Sequence, residues 1–153
     1  MSDLPRTAPD FSLPSDRSGE ITLSALAPAP VVLFFYPKDN TSGCTKEAIG
    51  FSALKAEFDA LGIQIFGISK DSVKSHARFR EKQALTIGLL SDEHGTTCED
   101  YGVWQEKQMY GRTFMGIVRS TFLIDHSGQI VAEWRKVKVD GHAQAVLDAA
   151  KAL

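Results

Sequence analysis

The apolar residues of this chain fall into short runs separated by polar turns. Residues 11–13 and 21–23 flank a polar stretch that contains Gly19, which predicts an N-terminal β-hairpin. Residues 31–36 form a continuous apolar run that stops at Pro37, as expected for a buried central strand. The chain is therefore predicted to begin with three strands.

Helical spacing follows this run. Apolar residues then recur at intervals of three and four positions and predict one helix, with its apolar face at Ala48, Phe51, Leu54, Phe58 and Leu61. Gly62 is expected to end this helix, and Asp71 can cap a second one that runs to about Gln83. A C-terminal helix is indicated by the apolar face of Ala143, Val146, Leu147 and Ala150.

The other segments complete an alternating order of elements. We predict strands at residues 63–69, 86–90, 120–124 and 130–134, and a short helix at residues 96–101. Residues 105–116 are expected to form a long polar loop, which either lines a pocket or partner surface or packs through Met109, Tyr110, Phe114 and Met115. The resulting order indicates an α/β fold, with helices on a mixed sheet, in one domain spanning residues 1–153.

Composition narrows the classes of function. The hydrophobic and charged fractions, 43% and 24%, are typical of a globular protein. Lys and Arg number 17 against 19 Asp and Glu, so the net charge of −2 favours neither nucleic acid nor a membrane surface as a partner. The N-terminus has no apolar signal segment, and we expect a cytoplasmic location.

Two cysteines, Cys44 and Cys98, are present, and we expect no disulfide framework in a reducing compartment. Cys44 opens a predicted helix directly after a short loop. Unpaired N–H groups and the positive end of the helix dipole favour the thiolate there, and the thiolate is the nucleophilic form. The alternative for Cys44 is a buried, inert thiol.

The neighbours of Cys44 suit a reactive thiolate. Gly43 allows the backbone to approach a small ligand closely, and Thr41 can exchange a hydrogen bond three residues before the sulfur. Pro37 fixes the end of the strand and removes a competing donor. Glu47, one turn into the helix, suits the dipole and could hold an arginine in place.

Arg119 strengthens the case for a reactive Cys44. It begins the apolar segment 119–125, and by period two it shares one face with Thr121 and Leu123. A cation that enters a core strand needs an anion, and a thiolate would serve. The alternative is an arginine at the strand mouth, paired with a surface carboxylate.

Together these residues resemble a known family. The pattern Pro37-x-x-x-Thr41-x-x-Cys44 is similar to the active-site motif of peroxiredoxins. The likeness is greatest to the bacterioferritin comigratory protein, or peroxiredoxin Q, subfamily. It covers nearly the whole chain, through residues 35–41, 101–104, 109–111 and 119–125.

The resemblance implies a thioredoxin-like fold and a peroxidase that reduces hydrogen peroxide and organic hydroperoxides without metal, haem or other cofactor. It implies that Cys44 is the peroxide-attacking cysteine and becomes a sulfenic acid, while Thr41 and Arg119 orient the peroxide. The reductant would be thioredoxin, glutaredoxin or glutathione, and the protein would be a monomer.

Three further residues receive roles from the same resemblance. Pro37 would shield the sulfur, and the backbone of Gly43 would contact the peroxide oxygens. Glu47 would support the site as an acid behind the reacting groups. These roles are expectations of the resemblance alone.

The sequence departs from the subfamily at the second cysteine. Many members carry a resolving cysteine five residues after the first or in the next long helix, and these positions are Ile49 and Arg80 here. The usual proline before the active-site glycine is Ser42. We therefore predict a one-cysteine cycle with an external thiol and a packed Cys98. The alternative is that Cys98 resolves Cys44, which requires their Cα atoms to come within about 7 Å.

Two other classes of protein could also carry a reactive cysteine. A thioredoxin-type oxidoreductase needs Cys-x-x-Cys, but the third residue after Cys44 is Glu47. A redox sensor would share the reactivity of Cys44 without turnover. Metal-ligand spacing is not seen, and a surface position is expected for His76, His94, His126 and His142.

Overall fold

The computed structural model describes residues 3–17 and 19–153. Its strands are β1 (Arg6–Thr7), β2 (Ser12–Pro14), β3 (Glu20–Thr22), β4 (Val31–Phe35), β5 (Gln64–Ser69), β6 (Gly88–Ser91), β7 (Trp104–Met109), β8 (Arg112–Ile117), β9 (Ser120–Ile124) and β10 (Gln129–Arg135). Its α-helices are α1 (Ser42–Ala53), α2 (Lys55–Ala60), α3 (Val73–Gln83), α4 (Thr97–Asp100) and α5 (His142–Ala150). Within the described ranges, every helix is too short or too polar to cross a membrane.

A six-stranded mixed sheet organises the fold, in the order β1-β10-β9-β4-β5-β6. β4 lies near its centre, parallel to β5 and antiparallel to β9. Every residue of β4 is buried, as its unbroken apolar run predicts. The α/β class and the mixed sheet are confirmed, and β2 and β3 form the predicted N-terminal hairpin.

Alternate side chains of β4 belong to two apolar cores, one on each face of the sheet. Val32 and Phe34 point into the core that the helices α1, α2, α3 and α5 cover, which we call the helical core. Val31, Leu33 and Phe35 point into the other core, which the N-terminal hairpin and α4 cover and which we call the hairpin core. The two cores are separated by the sheet.

The single helix predicted after β4 is two helices in the structure. α1 and α2 are separated by Leu54, whose backbone has φ −100° and ψ 4°. The Leu54 N–H donates to the carbonyl of Phe51, which is a tighter, three-residue turn. Leu61 lies beyond the end of α2 and is exposed. The apolar spacing therefore continues past the helices themselves.

The polar loop predicted at residues 105–116 is wrong, because this segment is a β-hairpin. β7 and β8 pair along their full lengths. Tyr110 and Gly111 form the turn with φ of +53° and +73°, as a two-residue type I′ turn requires. Most side chains of both strands contact solvent, so an alternation of apolar and polar residues is missing from the sequence.

The apolar side chains of this hairpin are exposed. The predicted alternative of ordinary packing is therefore wrong for Met109, Tyr110, Phe114 and Met115. Tyr110, at the turn, is 96% exposed.

The start of α3 also differs from the prediction. Ser72 is the N-cap, and its hydroxyl accepts a hydrogen bond from the Ser75 N–H at 3.1 Å. Asp71 is not the cap, because its carboxylate accepts instead from the N–H of Asp39 at 2.8 Å. Asp71 thereby joins the segment before α3 to the loop after β4.

Candidate active site

Cys44 lies in the first turn of α1, after the loop that leaves β4. Thr41 is the N-cap with an extended backbone, and Cys44 is the third residue of the helix. The first N–H groups of a helix have no partner within it, and the positive end of the helix dipole lies beside the sulfur. The predicted position of Cys44 at a helix start is confirmed.

The sulfur of Cys44 is enclosed and contacts a cation. The residue is 1% exposed and belongs to the helical core. Nη2 of Arg119, just before β9, lies 3.3 Å from Sγ. β9 pairs with β4, so the sheet brings together two residues that are 75 positions apart. A guanidinium at this distance stabilises negative charge on the sulfur.

Gly43 allows this close approach. A Cβ atom on Gly43 would lie 3.1 Å from Nη2 of Arg119, so a side chain there would press against the guanidinium. The glycine that the sequence analysis assigned to ligand approach is therefore also needed for the position of Arg119.

Glu47 holds the other side of the guanidinium. Nη1 of Arg119 donates to Oε1 of Glu47 at 2.7 Å, and the Glu47 side chain is 1% exposed. Oε2 has no hydrogen-bond partner within residues 3–17 and 19–153. Burial raises the pKa of Glu47 to about 7, although the charge of Arg119 opposes the rise. Glu47 therefore changes charge near neutral pH, beside the cation that contacts Cys44.

Two further predicted residues, Thr41 and Pro37, lie in the loop between β4 and α1. The Thr41 hydroxyl is exposed and donates to the carbonyl of Lys38 at 2.8 Å, so it closes the loop. Pro37 is half-buried, one residue after the end of the apolar run. The structure thus brings Cys44 and Arg119 into contact and turns the Thr41 side chain toward its own loop.

Cys98 lies on the opposite side of the sheet from Cys44. It is fully buried in the hairpin core, and its N–H donates to Oδ2 of Asp92 at 2.8 Å. Burial, reinforced by Asp92, raises the pKa of the Cys98 thiol. Both cysteines are free thiols. This packing of Cys98 agrees with the favoured prediction from sequence.

A second polar cluster supports the loop, and sequence reasoning missed it. Asp39 is buried, and its Oδ1 accepts from the Tyr36 hydroxyl at 2.6 Å. Its Oδ2 accepts from the Ser75 hydroxyl at 2.8 Å and lies 2.7 Å from Nδ1 of His76. We call these residues, together with Asp71, the Asp39 cluster.

The Asp39 cluster is a closed hydrogen-bond network. Ligand-type atoms of Asp39, Asp71 and His76 lie within 4.8 Å of one another, a spacing that could hold a cation. Both carboxylates and the His76 ring are already engaged by protein groups, including Ser69 on Asp71. We therefore assign these residues a structural role, in which they hold one another by hydrogen bonds.

The predicted surface position is wrong for two of the four histidines. His76 and His142 are buried, whereas His94 and His126 are exposed. Nε2 of His142 lies 2.7 Å from the Thr121 hydroxyl, and burial, with the nearby charge of Arg119, lowers the pKa of His142 to about 4. The burial of both histidines could have been predicted from helical spacing, since each lies one turn before a buried apolar residue of its helix.

Lys107 is a further cation near Arg119. The predicted loop gave no reason to expect it there. Its Nζ donates to the carbonyl of Ile117 across the β7–β8 hairpin at 2.6 Å. Burial, together with the charge of Arg119, lowers the pKa of Lys107. The hairpin therefore lies close enough to Arg119 for the two cations to interact.

Known sequences match this chain over most of its length. A sequence profile of the AhpC/TSA family matches residues 5–133. Peroxiredoxin Bcp of Xanthomonas campestris is 51% identical over 147 residues, which are 95% of this chain and 92% of that protein. Peroxiredoxin Bcp of Bacillus subtilis is 42% identical over 149 residues, which are 97% and 95% of the two chains.

Solved structures agree with these sequence matches. The bacterioferritin comigratory protein of Xanthomonas campestris, studied for its alkyl peroxide reduction activity, has a TM-score of 0.88 at 48% identity and covers 93% of this chain and 90% of its own. A mutant of Xylella fastidiosa PrxQ has a TM-score of 0.90 at 39% identity, with 99% and 98% covered. The predicted thioredoxin-like fold is confirmed by these neighbours. The chain therefore belongs to the AhpC/TSA family, as a peroxiredoxin of the Bcp and peroxiredoxin Q type, and it is a thiol-dependent peroxidase.

Proposed function

We propose that Cys44 is the peroxide-attacking residue and that the whole chain, residues 1–153, works as one peroxiredoxin domain. The observation that carries this proposal is the contact of 3.3 Å between Nη2 of Arg119 and the sulfur of Cys44, at the start of α1. A cation and a helix N-terminus meet at one buried thiol, and both favour the reactive thiolate.

The reaction transfers one oxygen atom to sulfur. The Cys44 thiolate attacks the nearer oxygen of hydrogen peroxide or an organic hydroperoxide, so an S–O bond forms and the O–O bond breaks. The leaving oxygen takes the bonding electrons and a proton and departs as water or an alcohol, while Cys44 becomes a sulfenic acid. Arg119 and the N–H groups at the start of α1 are already beside the sulfur, so little reorganisation is needed as charge develops on the leaving oxygen.

Three further residues support this geometry. Glu47 holds the Arg119 guanidinium through Oε1 and keeps Nη2 directed at the sulfur. Thr41 closes the loop through its hydrogen bond to Lys38, and its place at the N-cap of α1 supports the assigned contact with the peroxide. Pro37 begins the same loop and is half-buried, which supports its assigned role in shielding the sulfur.

A one-cysteine cycle is the form of turnover that we propose. Cys98 lies in the hairpin core, on the far side of the sheet from Cys44, and Ile49 and Arg80 carry no thiol. An external thiol, from thioredoxin, glutaredoxin or glutathione, would attack the sulfenic acid and release water. A second thiol would then free Cys44 as the thiolate.

The test is a trapping experiment on three proteins: wild type, Cys44→Ser and Cys98→Ser. Each reduced protein is mixed with an equimolar amount of hydrogen peroxide, with and without dimedone, and its intact mass is measured. We expect a dimedone adduct that requires Cys44 and does not require Cys98. Cys98→Ser is the matched control, since it replaces a thiol of the same size on the other face of the sheet.

Two results would contradict this proposal. A mass loss of two hydrogens that needs both cysteines would make Cys98 the resolving residue. If hydrogen peroxide oxidised the wild-type protein no faster than it oxidises a free thiol, Cys44 would not be the nucleophile of a peroxidase. Turnover with each of the three reductants then separates a peroxidase from a sensor, because a sensor is oxidised once and does not cycle.

A further inference from the structure

The loop that carries Cys44 is anchored at one buried residue, Asp39. This residue lies five positions before Cys44, between β4 and α1. Its carboxylate is held by the Tyr36 hydroxyl on Oδ1, and by the Ser75 hydroxyl and the His76 ring on Oδ2. Ser75 and His76 belong to α3, so these contacts tie the loop to a different helix from the one that carries the sulfur.

The loop depends on these side chains for its shape. Asn40 has φ of +62°, in the left-handed region that asparagine adopts more readily than most other residues with a Cβ atom. The loop lies outside the ladders of the sheet, and the Asp39 N–H is taken up by the Asp71 carboxylate. The contacts at Asp39 therefore fix the loop between Pro37 and the first turn of α1, where the hydrogen bonds of the sheet do not.

His76 needs two ring protons to satisfy both of its neighbours. Nε2 lies 2.9 Å from the carbonyl oxygen of Leu90, which can only accept, so this contact is a hydrogen bond when Nε2 carries a proton. Nδ1 lies 2.7 Å from Oδ2 of Asp39, and an ionised carboxylate also only accepts. An imidazolium satisfies both contacts, whereas a neutral ring facing an ionised Asp39 satisfies one.

We propose that Asp39 is a positioning residue for the peroxidase reaction and that protonated His76 holds it in place. The pair keeps the loop, and with it the first turn of α1, in the position where Cys44 meets Arg119. The inference rests on the proposed reaction of Cys44. A displacement of about 1 Å at a reacting group can lower a rate by about 100-fold, so an anchor remote from the sulfur can govern it.

The titratable groups that face His76 agree with this role. Asp39 and Tyr36 face it from the end of β4 and the loop, and Asp71 faces it from the segment before α3. Burial alone would lower the pKa of His76, but the hydrogen bond and charge of Asp39 outweigh it and raise that pKa above its ordinary value. Rising pH removes one of the two ring protons and the positive charge beside Asp39. The anchor is therefore complete at lower pH and weaker at higher pH, even in the tautomer that keeps the hydrogen bond from Nδ1 to Asp39.

His76→Asn provides the decisive variant. The amide nitrogen of asparagine can occupy nearly the place of Nδ1 and donate to Asp39, but it does not titrate. His76→Ala removes the donor, and Asp39→Asn removes the charge while keeping the size. The rate of Cys44 oxidation by hydrogen peroxide is measured for each protein between about pH 6 and about pH 9, a range that spans histidine titration. Circular dichroism and thermal unfolding check the fold of each variant.

We expect His76→Ala and Asp39→Asn to oxidise more slowly than wild type by about tenfold or more. We expect His76→Asn to recover most of the wild-type rate near pH 6. The ratio of the wild-type rate to the His76→Asn rate should then fall as the pH rises. Any effect of pH that does not act through His76 is common to both proteins and cancels in this ratio.

His94→Asn is the matched control, because it makes the same exchange at an exposed histidine. Its rate ratio should stay constant with pH. The positioning role would be overturned if all three variants folded and Cys44 were oxidised in each at the wild-type rate. It would also be overturned if the ratio of the wild-type rate to the His76→Asn rate did not change with pH. Neither result would contradict the reaction of Cys44 itself. Absence of a Cys44 sulfenic acid in wild type would instead overturn the proposed function. If His76→Ala does not fold, His76→Asn and Asp39→Asn decide the question.

Discussion

Glu47 shows at the scale of one residue how burial sets a protonation state. Its carboxyl group has one strong partner, Arg119, and one oxygen without a hydrogen bond in the described part of the chain. A buried carboxylate is costly unless both oxygens are satisfied, and burial accordingly raises its pKa to about 7. Arg119 is therefore held by a carboxyl group that changes its charge near neutral pH.

Glu47→Gln should change how stability depends on pH. The pKa of Glu47 rises from 4.5 to about 7 on folding, so the unfolded chain releases this proton at lower pH than the folded chain. Wild-type stability should therefore fall relative to Glu47→Gln by about 3 kcal/mol as pH rises from about 4.5 to about 7.5. Urea denaturation at both pH values measures the difference.

Glu57→Gln, at an exposed carboxylate of α2, is the control for this experiment. Its difference from wild type should be the same at both pH values. Equal pH dependence of wild type and Glu47→Gln would contradict the raised pKa of Glu47.

At the scale of elements, α3 ends at a residue that is poorly suited to its conformation. Ala84 is the C-cap, with φ of +53° and ψ of +46°. This left-handed conformation costs a residue with a Cβ atom about 1 kcal/mol, and glycine is the usual residue at such a position. Ala84 is also exposed, so its methyl group contributes little packing.

Ala84→Gly should therefore raise the free energy of unfolding by about 0.5–1 kcal/mol. Thermal and urea denaturation measure the change. Ala77→Gly makes the same exchange at an exposed position in the middle of α3 and should lower stability by about 1 kcal/mol. A loss of stability in both variants would show that the C-cap of α3 is not strained.

At the scale of the whole molecule, Arg80 joins segments that are distant in sequence. Its guanidinium donates to both carboxylate oxygens of Asp16, in the turn between β2 and β3. It also donates to the carbonyls of Leu85 and Ile87, after α3. The Asp16 side chain is 1% exposed, so this ion pair is buried where the N-terminal hairpin meets the helices.

Arg80→Met should lower the free energy of unfolding by about 3–5 kcal/mol, because it leaves the Asp16 carboxylate buried without its partner. Urea denaturation measures the loss. The double variant Arg80→Met with Asp16→Asn should recover part of it, since the unpaired charge is then removed. A loss below about 1 kcal/mol in the single variant would class the pair with ordinary surface ion pairs.

Local patterns predicted most elements and the environment of Cys44. The apolar run of β4, the helix that follows it and the loop between them place Cys44 at a helix start without any long-range information. The β7–β8 hairpin could not be found in this way, because most of its side chains contact solvent and only Ile117, at the end of β8, is buried. The division between α1 and α2 was also hidden, since apolar spacing records which side is buried and not where the backbone turns.

Sequence by itself determined the family, the α/β class and the candidate nucleophile, because these depend on local motifs and periodicity. Tertiary structure decided which distant groups meet. It placed Cys98 across the sheet from Cys44, joined Arg119 to Glu47, and tied the active-site loop to His76. Those contacts arise from strand order and helix packing, and such pairings between residues far apart in the chain leave no periodic signal in a single sequence.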